Sequence, residues 1–336
     1  MLIDDLRDWI RGEDRDPHLY KELAAGVVVS SAVFLAASLI PDLGFVIGMF
    51  APLPVIYYSK SGRMQGLVVF ALALLVVISF MAVIGSGFNI AFLIVWGSFG
   101  IVLSEMFRKK YAIDKIILLS IVVLTLIALA FLSSYSLRMN EDPWTLIEKY
   151  VSGGVNGLIQ AYSQAGVSQE QVSLIKNNAG QISKFIYHVF PALMIVSMIF
   201  LAWLNVMAAK ILFEFRKLPF SDFGDLTSWK IPDKFVWFVI AAGAMILVPI
   251  DRFKISGLNM LIVFLFIYLF QGLSIINFFF KKKGVPVLLR GMFYFLIFAQ
   301  HILALLVICL GFFDIWIDFR KLNRGVKLPV QGREPH

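Results

Sequence analysis

Two aspartates close the last hydrophobic segment of the chain and form its sharpest pair of ionisable side chains. Asp314 and Asp318 are four residues apart, and Lys321 follows three residues later. On a helix this spacing places both carboxylates on one face, where they could bind a cation or the arginines of a partner, and it lets Asp318 pair with Lys321. We favour a structural alternative, in which Asp314, Asp318 and Arg320 form a charge cluster that fixes where the helix leaves its apolar surroundings.

The rest of the chain offers little of the chemistry that enzymes use. It contains no glycine-rich phosphate loop, no pair of histidines at metal-ligand spacing and no nucleophile elbow. Its one cysteine, Cys309, lies inside an apolar run and can form neither a disulfide nor a cysteine metal site within one chain. We therefore predict that the protein is not an enzyme and uses no metal or other cofactor.

The amino-acid composition indicates that most of the chain is surrounded by lipid. Hydrophobic residues make up 60% of the 336 residues and charged residues 15%, against ~45–50% and ~25% in soluble domains. The net charge of +8 comes from lysines and arginines that gather in short clusters between apolar runs. This distribution is typical of the positive-inside rule and not of a nucleic-acid-binding surface. The sequence therefore predicts a multi-pass membrane protein with no nucleic-acid partner.

Apolar runs recur along the whole chain, and a crossing of the bilayer needs ~20 such residues. The runs cover residues 23–40, 43–58, 65–85, 88–107, 113–133, 184–213, 235–250, 257–280 and 288–316. We predict an all-α, polytopic transmembrane helix bundle of about nine spans. In this prediction residues 1–22 form a cytoplasmic amphipathic helix, residues 23–133 a five-span bundle, residues 184–322 a bundle of about four spans, and residues 323–336 a polar tail.

A polar segment of about fifty residues, 134–183, separates the two predicted bundles. It follows an odd number of spans from a cytoplasmic start, so we expect it outside the cytoplasm. Apolar residues recur at helical spacing after Pro143, and Ser168 with Gln171 has the pattern of a helix N-cap. These short amphipathic helices could cover a cavity or lie on the outer leaflet.

The charges of the tail conflict with the count of nine spans. Nine crossings place the tail outside, although its arginines and lysines favour the cytoplasm. If residues 235–250 were re-entrant, eight spans would return the tail to the cytoplasm but would export Lys281, Lys282 and Lys283. We favour nine spans, because earlier segments usually decide the orientation.

Polar and irregular positions inside the spans are the candidate substrate-binding residues. Pro52 and Pro54 interrupt the second span and predict a kinked or partly unwound helix. Irregular backbone survives in lipid only where protein or a water-filled cavity satisfies it, so this segment indicates a cavity. A kink without a ligand is the alternative.

Four polar side chains in later spans complete the candidate set. Because polar groups in lipid usually face protein, water or substrate, these residues could contact a solute: Asn205, Asn259, Gln271 and His301. Hydrogen bonds between helices, at ~0.6–2 kcal/mol each, would explain the amides equally well. His188 and His301 could form a proton relay only if tertiary packing brought them together.

The order and spacing of these residues resemble a known family across nearly the whole chain. The residues that carry the likeness are Pro52-Leu53-Pro54, Gly62-Arg63, Asn205, Pro232, Asn259, Gln271-Gly272, Gly311, Asp314, Asp318, Phe319 and Arg320. Together they resemble the YybS-like family, which consists of bacterial integral membrane proteins of unknown function. The resemblance implies a location in the bacterial cytoplasmic (inner) membrane.

Over its N-terminal part, that family is similar to the S components of energy-coupling-factor vitamin transporters. S components are six-span helical proteins, and many dock on a transmembrane coupling subunit through an alanine-rich first helix. The resemblance implies that Ala32 and Ala36 lie on such a docking face. About three further helices distinguish this chain from an S component.

We expect a solute-binding or transport-related protein without its own energy source, whose partner is an energy-coupling transmembrane subunit. The alternative is a non-transporting scaffold that assembles with cell-envelope proteins through its N-terminal helix and residues 134–183.

Overall fold

A computed structural model describes residues 17–40, 43–60, 62–84, 90–219 and 226–321. Within these ranges the chain is helical, with a single turn of 3-10 helix and no β-strand. The predicted all-α class is therefore confirmed. Most of the predicted amphipathic helix of residues 1–22 and the whole tail of residues 323–336 lie outside the described residues.

Thirteen α-helices are present in the described ranges, and the first six precede the polar segment. They are α1 (Pro17–Leu39), α2 (Gly44–Met49), α3 (Pro52–Tyr58), α4 (Arg63–Ile84), α5 (Ile90–Arg108) and α6 (Ile113–Met139). The remaining helices are α7 (Pro143–Gln164), α8 (Gln169–Asn177), α9 (Ala179–Phe215), α10 (Val236–Leu247), α11 (Asp251–Lys282), α12 (Val287–Ala299) and α13 (His301–Ile317), with a 3-10 turn at Asp233–Phe235.

The chain divides into two compact units. Unit 1 comprises Met1–Leu146 and Ser197–Phe223, and unit 2 comprises Ile147–Val196 and Gly224–His336. In unit 1, α1 packs on α2, α3 and α4, and α3 also packs on α4 and α5. A cluster of buried side chains from α1, α4 and the α2–α3 segment forms the core there: Phe34, Ala51, Val55, Ala73, Val77 and Met81.

Helix α11 is the centre of unit 2 and packs on α10 and α13. Two glycines bring α11 and α13 into backbone contact. A Cβ at Gly272 would lie 2.0 Å from the carbonyl oxygen of Val307, and one at Gly311 would lie 2.2 Å from that of Tyr268. Since the later residue on one helix meets the earlier residue on the other, α11 and α13 run antiparallel.

Five helical segments in the described ranges are long and apolar enough to cross a membrane. They are Tyr20–Leu39, Arg63–Ile84, Ile113–Met139, Ala179–Phe215 and Asp251–Lys282, and α12 with α13 would form a sixth if the pair is one span. Their surfaces are apolar, as lipid requires: Val83 is 87% exposed and Leu137 83%. The prediction of several apolar spans is confirmed, but the number nine is not.

Three of the predicted spans differ from unbroken helices. The second is divided into α2 and α3. The seventh is the 12-residue α10, which is ~18 Å long and shorter than the ~30 Å hydrocarbon core. The ninth is divided into α12 and α13, which meet at 104°.

The polar segment contains two helices, the 22-residue α7 and the 9-residue α8. Helix α7 begins at Pro143, and it buries Ile147, Val151 and Val155 at a spacing of four residues. The predicted N-cap of α8 is confirmed, since the Oγ of Ser168 accepts a hydrogen bond from the N–H of Gln171 at 3.4 Å.

Candidate functional site

The break between α2 and α3 lies inside the second predicted span. Proline lacks an N–H, so Pro52 removes a donor from the preceding turn. The N–H groups of Phe50 and Ala51 form short-range bonds to Ile47 and Gly48, at 3.0 and 3.1 Å. The carbonyl of Met49 is left to a side chain from another helix.

Asn205 of α9 supplies that side chain. Its Nδ2 donates to the carbonyl oxygens of Met49 and Leu201, both at 2.9 Å. Since both partners are acceptors, they fix the orientation of the amide and turn Oδ1 to the opposite side. Asn205 is 0% exposed, and its Oδ1 has no hydrogen-bond partner in the described part of the chain.

Asn259 of α11 repairs the hydrogen bonding of α9 beside Pro191, inside a helix that is continuous from Ala179 to Phe215. In α9, Pro191 disturbs the helix where the N–H of Ala192 would bind the carbonyl of His188. The Oδ1 of Asn259 accepts from Ala192 N at 2.9 Å, and its Nδ2 donates to His188 O at 2.8 Å. Nδ2 also donates to Ile255 O at 2.9 Å. These bonds use both hydrogens and the oxygen of the amide.

Gln271 of α11 likewise binds a backbone group next to a proline, in this case beside Pro232. Its Oε1 accepts from the N–H of Ile231 at 3.1 Å, and its Nε2 donates to the Oδ2 of Asp314 at 3.1 Å. One turn later, the Oγ of Ser274 donates to the carbonyl of Leu226 at 2.7 Å. Side chains of α11 thus bind the non-helical backbone of residues 226–231.

The non-helical backbone of residues 226–231 lies beside the apolar part of α11. No charged residue occurs in that helix from residue 255 to residue 280, and Gln271 is ~15 Å along the helix axis from Lys281. Backbone of this kind is tolerated at membrane depth when protein satisfies its polar groups. The hydrogen bonds around Gln271 satisfy polar groups of residues 226–231 in this way.

Asp314 and Arg320 form the charged centre of the network. The NH2 of Arg320 lies 2.9 Å from the Oδ2 of Asp314, with side-chain exposures of 0% and 1%. The NH1 of Arg320 donates to the carbonyls of Thr227 and Trp229, at 2.8 and 2.9 Å, and to Ser274 Oγ at 3.0 Å. The motif that ends the last apolar segment therefore lies in the interior of unit 2.

Asp318 occupies a different environment from Asp314. It ends α13 with a left-handed backbone conformation, at a φ of 46°, and its N–H donates to Asp314 O at 3.0 Å. Asp318 is therefore the C-cap of α13.

The six predicted substrate-binding residues do not form one group. Pro52, Pro54 and Asn205 belong to unit 1, whereas Asn259, Gln271 and His301 belong to unit 2. The two prolines are buried, and His301 is the exposed first residue of α13. Of the predicted docking residues, Ala32 is exposed and Ala36 is half-buried.

Two residues were not predicted as site residues. Ser30 and Ser31 of α1 are 0% and 5% exposed, and neither hydroxyl has a partner among the described residues. Two adjacent hydroxyls in an apolar helix are the signal that could have found them.

Comparisons with known proteins agree with the membrane class. A family model described as "Predicted membrane protein (DUF2232)" matches residues 28–315. No curated protein and no solved structure matches the chain. The matched range extends from α1 into α13 and covers parts of both units.

Proposed function

The chain belongs to the DUF2232 family of predicted membrane proteins, and from this premise we propose that it is a solute-binding or transport-related protein without its own energy source. The observation that carries the proposal is the unpartnered Oδ1 of Asn205, a residue whose amide nitrogen binds the break between α2 and α3. Discontinuous membrane helices with free polar groups form the solute and ion sites of many transporters.

Two other amides differ from Asn205, because their oxygen and nitrogen atoms all have partners. The amide of Asn259 binds backbone groups with both its oxygen and its nitrogen, and the amide of Gln271 binds the N–H of Ile231 with its oxygen and the carboxylate of Asp314 with its nitrogen. Only packing is needed to explain them. The oxygen of Asn205 has no such explanation, and a buried polar atom without a partner costs about 1–3 kcal/mol. A bound solute or ion would remove that cost.

A ligand screen tests the proposed function. The full chain, purified in mild detergent, is scanned for thermal stabilisation by a library of small metabolites, and native mass spectrometry looks for molecules that co-purify. We expect at least one class of solute to stabilise the wild type and not the Asn205→Leu variant. No stabilisation of the wild type by any member of the library would count against solute binding.

We also propose that the protein is YybS-like and related to S components, and that it lies in the bacterial cytoplasmic membrane. The exposure of Ala32 supports a docking role for α1, because a small exposed residue lets another helix approach closely. A partner subunit would supply the energy. Crosslinking from a photoreactive residue at position 32 should capture a membrane protein, and the same residue at the buried position 34 should not.

For the topology, we propose eight crossings, with the α12–α13 pair re-entrant. Along α13 the contacts on α11 move from Gly272 to Tyr268, but after Asp318 they return to Ser274, the contact of Arg320. The side chain of Arg320 therefore points back toward the end of α11 that carries Lys281. Eight crossings keep both this basic end and the tail in the cytoplasm, as the positive-inside rule expects.

A scaffold remains the second candidate, because α7 exposes large side chains. Tyr150 is 76% exposed and Trp144 54%. Aromatic residues of this kind serve both protein interfaces and membrane surfaces. If the scaffold hypothesis holds, Tyr150→Ser should remove crosslinks to envelope proteins. Unchanged crosslinks in that variant would contradict it.

A further inference from the structure

The turn between α3 and α4 lies at an end of unit 1 where four segments of the chain meet. Lys60 in this turn forms an ion pair with Glu22 of α1 at 2.9 Å. One helix turn after Glu22, a Cβ at Gly26 would lie 2.9 Å from the ring of Tyr58 in α3. The two contacts show that α1 and α3 run antiparallel, so the start of α1 lies beside the turn.

Helix α9 reaches the same level because it runs parallel to the segment formed by α2 and α3. Two contacts show this, the hydrogen bond from Asn205 to Met49 at 2.9 Å and the ring contact between Phe213 and Tyr57 at 5.9 Å. The residues of each pair are 156 positions apart, and the same offset places Arg216 at the level of Lys60. Both cations also interact electrostatically with Tyr58.

The end of α5 is the fourth segment. A Cβ at Gly97 would lie 1.8 Å from the ring of Phe70 in α4. Further along α5, Glu105 interacts electrostatically with Arg63, the first residue of α4, and it forms an ion pair with Arg108. Since the later residue of α5 meets the earlier residue of α4, the two helices run antiparallel. Helix α5 therefore ends beside the turn between α3 and α4.

Positive charge predominates where these segments meet. They contain ten basic residues and four acidic ones. The segments are residues 20–22, 60–63, 105–115 and 210–217. Arg63 and Arg216 are exposed, and neither forms an ion pair with another described residue. We call this surface the basic face of unit 1.

Apolar and aromatic side chains adjoin the basic face of unit 1. On α9, Ile211 is 66% exposed and Phe215 80%, and both lie within two helix turns of Arg216. On α1, Tyr20 is 53% exposed. Basic and aromatic side chains beside an apolar helix surface are typical of the level at which lipid headgroups lie.

A ligand that fits this surface has an anionic head and an apolar body. Arginine is well suited to phosphate, because its guanidinium donates two parallel N–H groups to phosphate oxygens. A free phosphate would use the charges and leave the apolar side chains without a contact, and so would an acidic segment of a soluble protein. An anionic phospholipid would use both.

We propose that the basic face of unit 1 binds anionic phospholipids, with Arg63 and Arg216 in contact with their phosphate groups and the acyl chains against the exposed apolar side chains of α9. The inference goes beyond the proposed function and does not depend on it, since neither arginine belongs to the proposed solute site.

Arginine variants and two lipids with the same acyl chains test the proposal. Arg63→Gln combined with Arg216→Gln removes both charges and breaks no ion pair among the described residues. Arg138→Gln is the matched control, because Arg138 is an exposed arginine of the same unit in the last turn of α6, ~38 Å along that helix from Ile113. The full chain in mild detergent is incubated with phosphatidylglycerol or phosphatidylcholine, and native mass spectrometry measures the lipid that each variant retains.

We expect wild type to retain phosphatidylglycerol about tenfold more strongly than phosphatidylcholine at low ionic strength, and added salt should reduce this preference. The double variant should lose most of the preference at an unchanged melting temperature, and Arg138→Gln should keep it. The inference is overturned if wild type retains both lipids equally, or if the double variant prefers phosphatidylglycerol as strongly as wild type does.

Two competitors separate the lipid from other anions. Inorganic phosphate and poly-L-glutamate, each at the same concentration of charge as the lipid, should not displace phosphatidylglycerol from wild type. Displacement by phosphate would show a site for the free anion, and displacement by poly-L-glutamate would show a surface for an acidic protein segment. Either result would overturn the assignment to lipid.

Discussion

Arg320 holds the carboxylate of Asp314 at 2.9 Å, with both side chains excluded from solvent. Removing two charges from water costs several kcal/mol per ion, and the attraction compensates only when hydrogen bonds satisfy the remaining donors and acceptors. Here Gln271 and the N–H of Phe319 donate to Asp314, at 3.1 and 3.0 Å. The pair therefore joins the end of α13, α11 and residues 226–231 into one buried network.

Breaking this pair should destabilise the protein strongly. Arg320→Met leaves the carboxylate of Asp314 buried without a cation, and we expect a loss of about 3–5 kcal/mol of unfolding free energy. Adding Asp314→Leu should recover part of the loss, because no unpaired charge then remains. Denaturant unfolding in micelles measures both effects.

Glu214→Gln is the control for this experiment, since Glu214 is 62% exposed and pairs with Lys210 at 3.8 Å. An exposed pair contributes about 0–1 kcal/mol. If Arg320→Met cost no more than this control, the buried pair would not hold the network together.

The bonds from Asn259 to the backbone beside Pro191 predict coupling between the two residues. Asn259→Leu removes the side-chain partner of Ala192 N–H and His188 C=O, and we expect a loss of about 1–3 kcal/mol. Pro191→Ala should restore a regular helix in which Ala192 binds His188 directly. In that background Asn259→Leu should cost markedly less.

A double-mutant cycle on thermal or denaturant unfolding measures this coupling. Asn277→Leu on the same helix is the control, because no side-chain bond of Asn277 occurs among the described residues and Pro191→Ala should not alter its effect. Strict additivity of Pro191→Ala and Asn259→Leu would contradict the repair role.

The sequence alone predicts the helical class and selects the polar residues that matter, but it does not predict their partners. Hydropathy identifies the apolar runs, and amides within such runs are conspicuous. Asn205 binds a carbonyl 156 residues away, and Asn259 binds groups 67 and 71 residues away. These pairings are set by the packing of helices, which local pattern does not encode.

The last predicted spans show a second limit of sequence patterns. Hydropathy counts apolar residues but does not register direction, so residues 288–316 are apolar enough for one span although α12 and α13 meet at 104°. Likewise, in the sequence alone, Asp314 and Arg320 have the pattern of a charge cluster at the membrane interface. Its burial depends on Gln271 and Ser274, which lie on a different helix.

The contact between Gly272 and Gly311 predicts intolerance to larger residues. Gly311→Ala would place a Cβ 2.2 Å from the carbonyl oxygen of Tyr268 and 2.7 Å from the backbone N of Gly272, so α11 and α13 must separate. We expect a loss of about 1–3 kcal/mol, as for overpacking in a core. Gly291→Ala on α12 meets no atom within 4 Å and should be neutral or slightly stabilising. Equal melting temperatures for the two variants would show that α11 and α13 do not pack through these glycines.

The proposal of eight crossings predicts that the tail and the basic end of α11 lie on the same side of the membrane. Cys309 is the only cysteine, so Cys309→Ser gives a background for single cysteines at Lys283, Val330 and Asn156. A membrane-impermeant maleimide is applied to intact cells and to permeabilised cells.

With eight crossings, cysteines at 283 and 330 should react only after permeabilisation, and the cysteine at 156, in the polar segment, should react in intact cells. Reaction of position 330 in intact cells, with 283 still protected, would instead mean that α12 and α13 cross the bilayer as a ninth span. The tail charges favour the first result, because five arginines and lysines after Asp318, namely Arg320, Lys321, Arg324, Lys327 and Arg333, would otherwise be exported against the positive-inside rule.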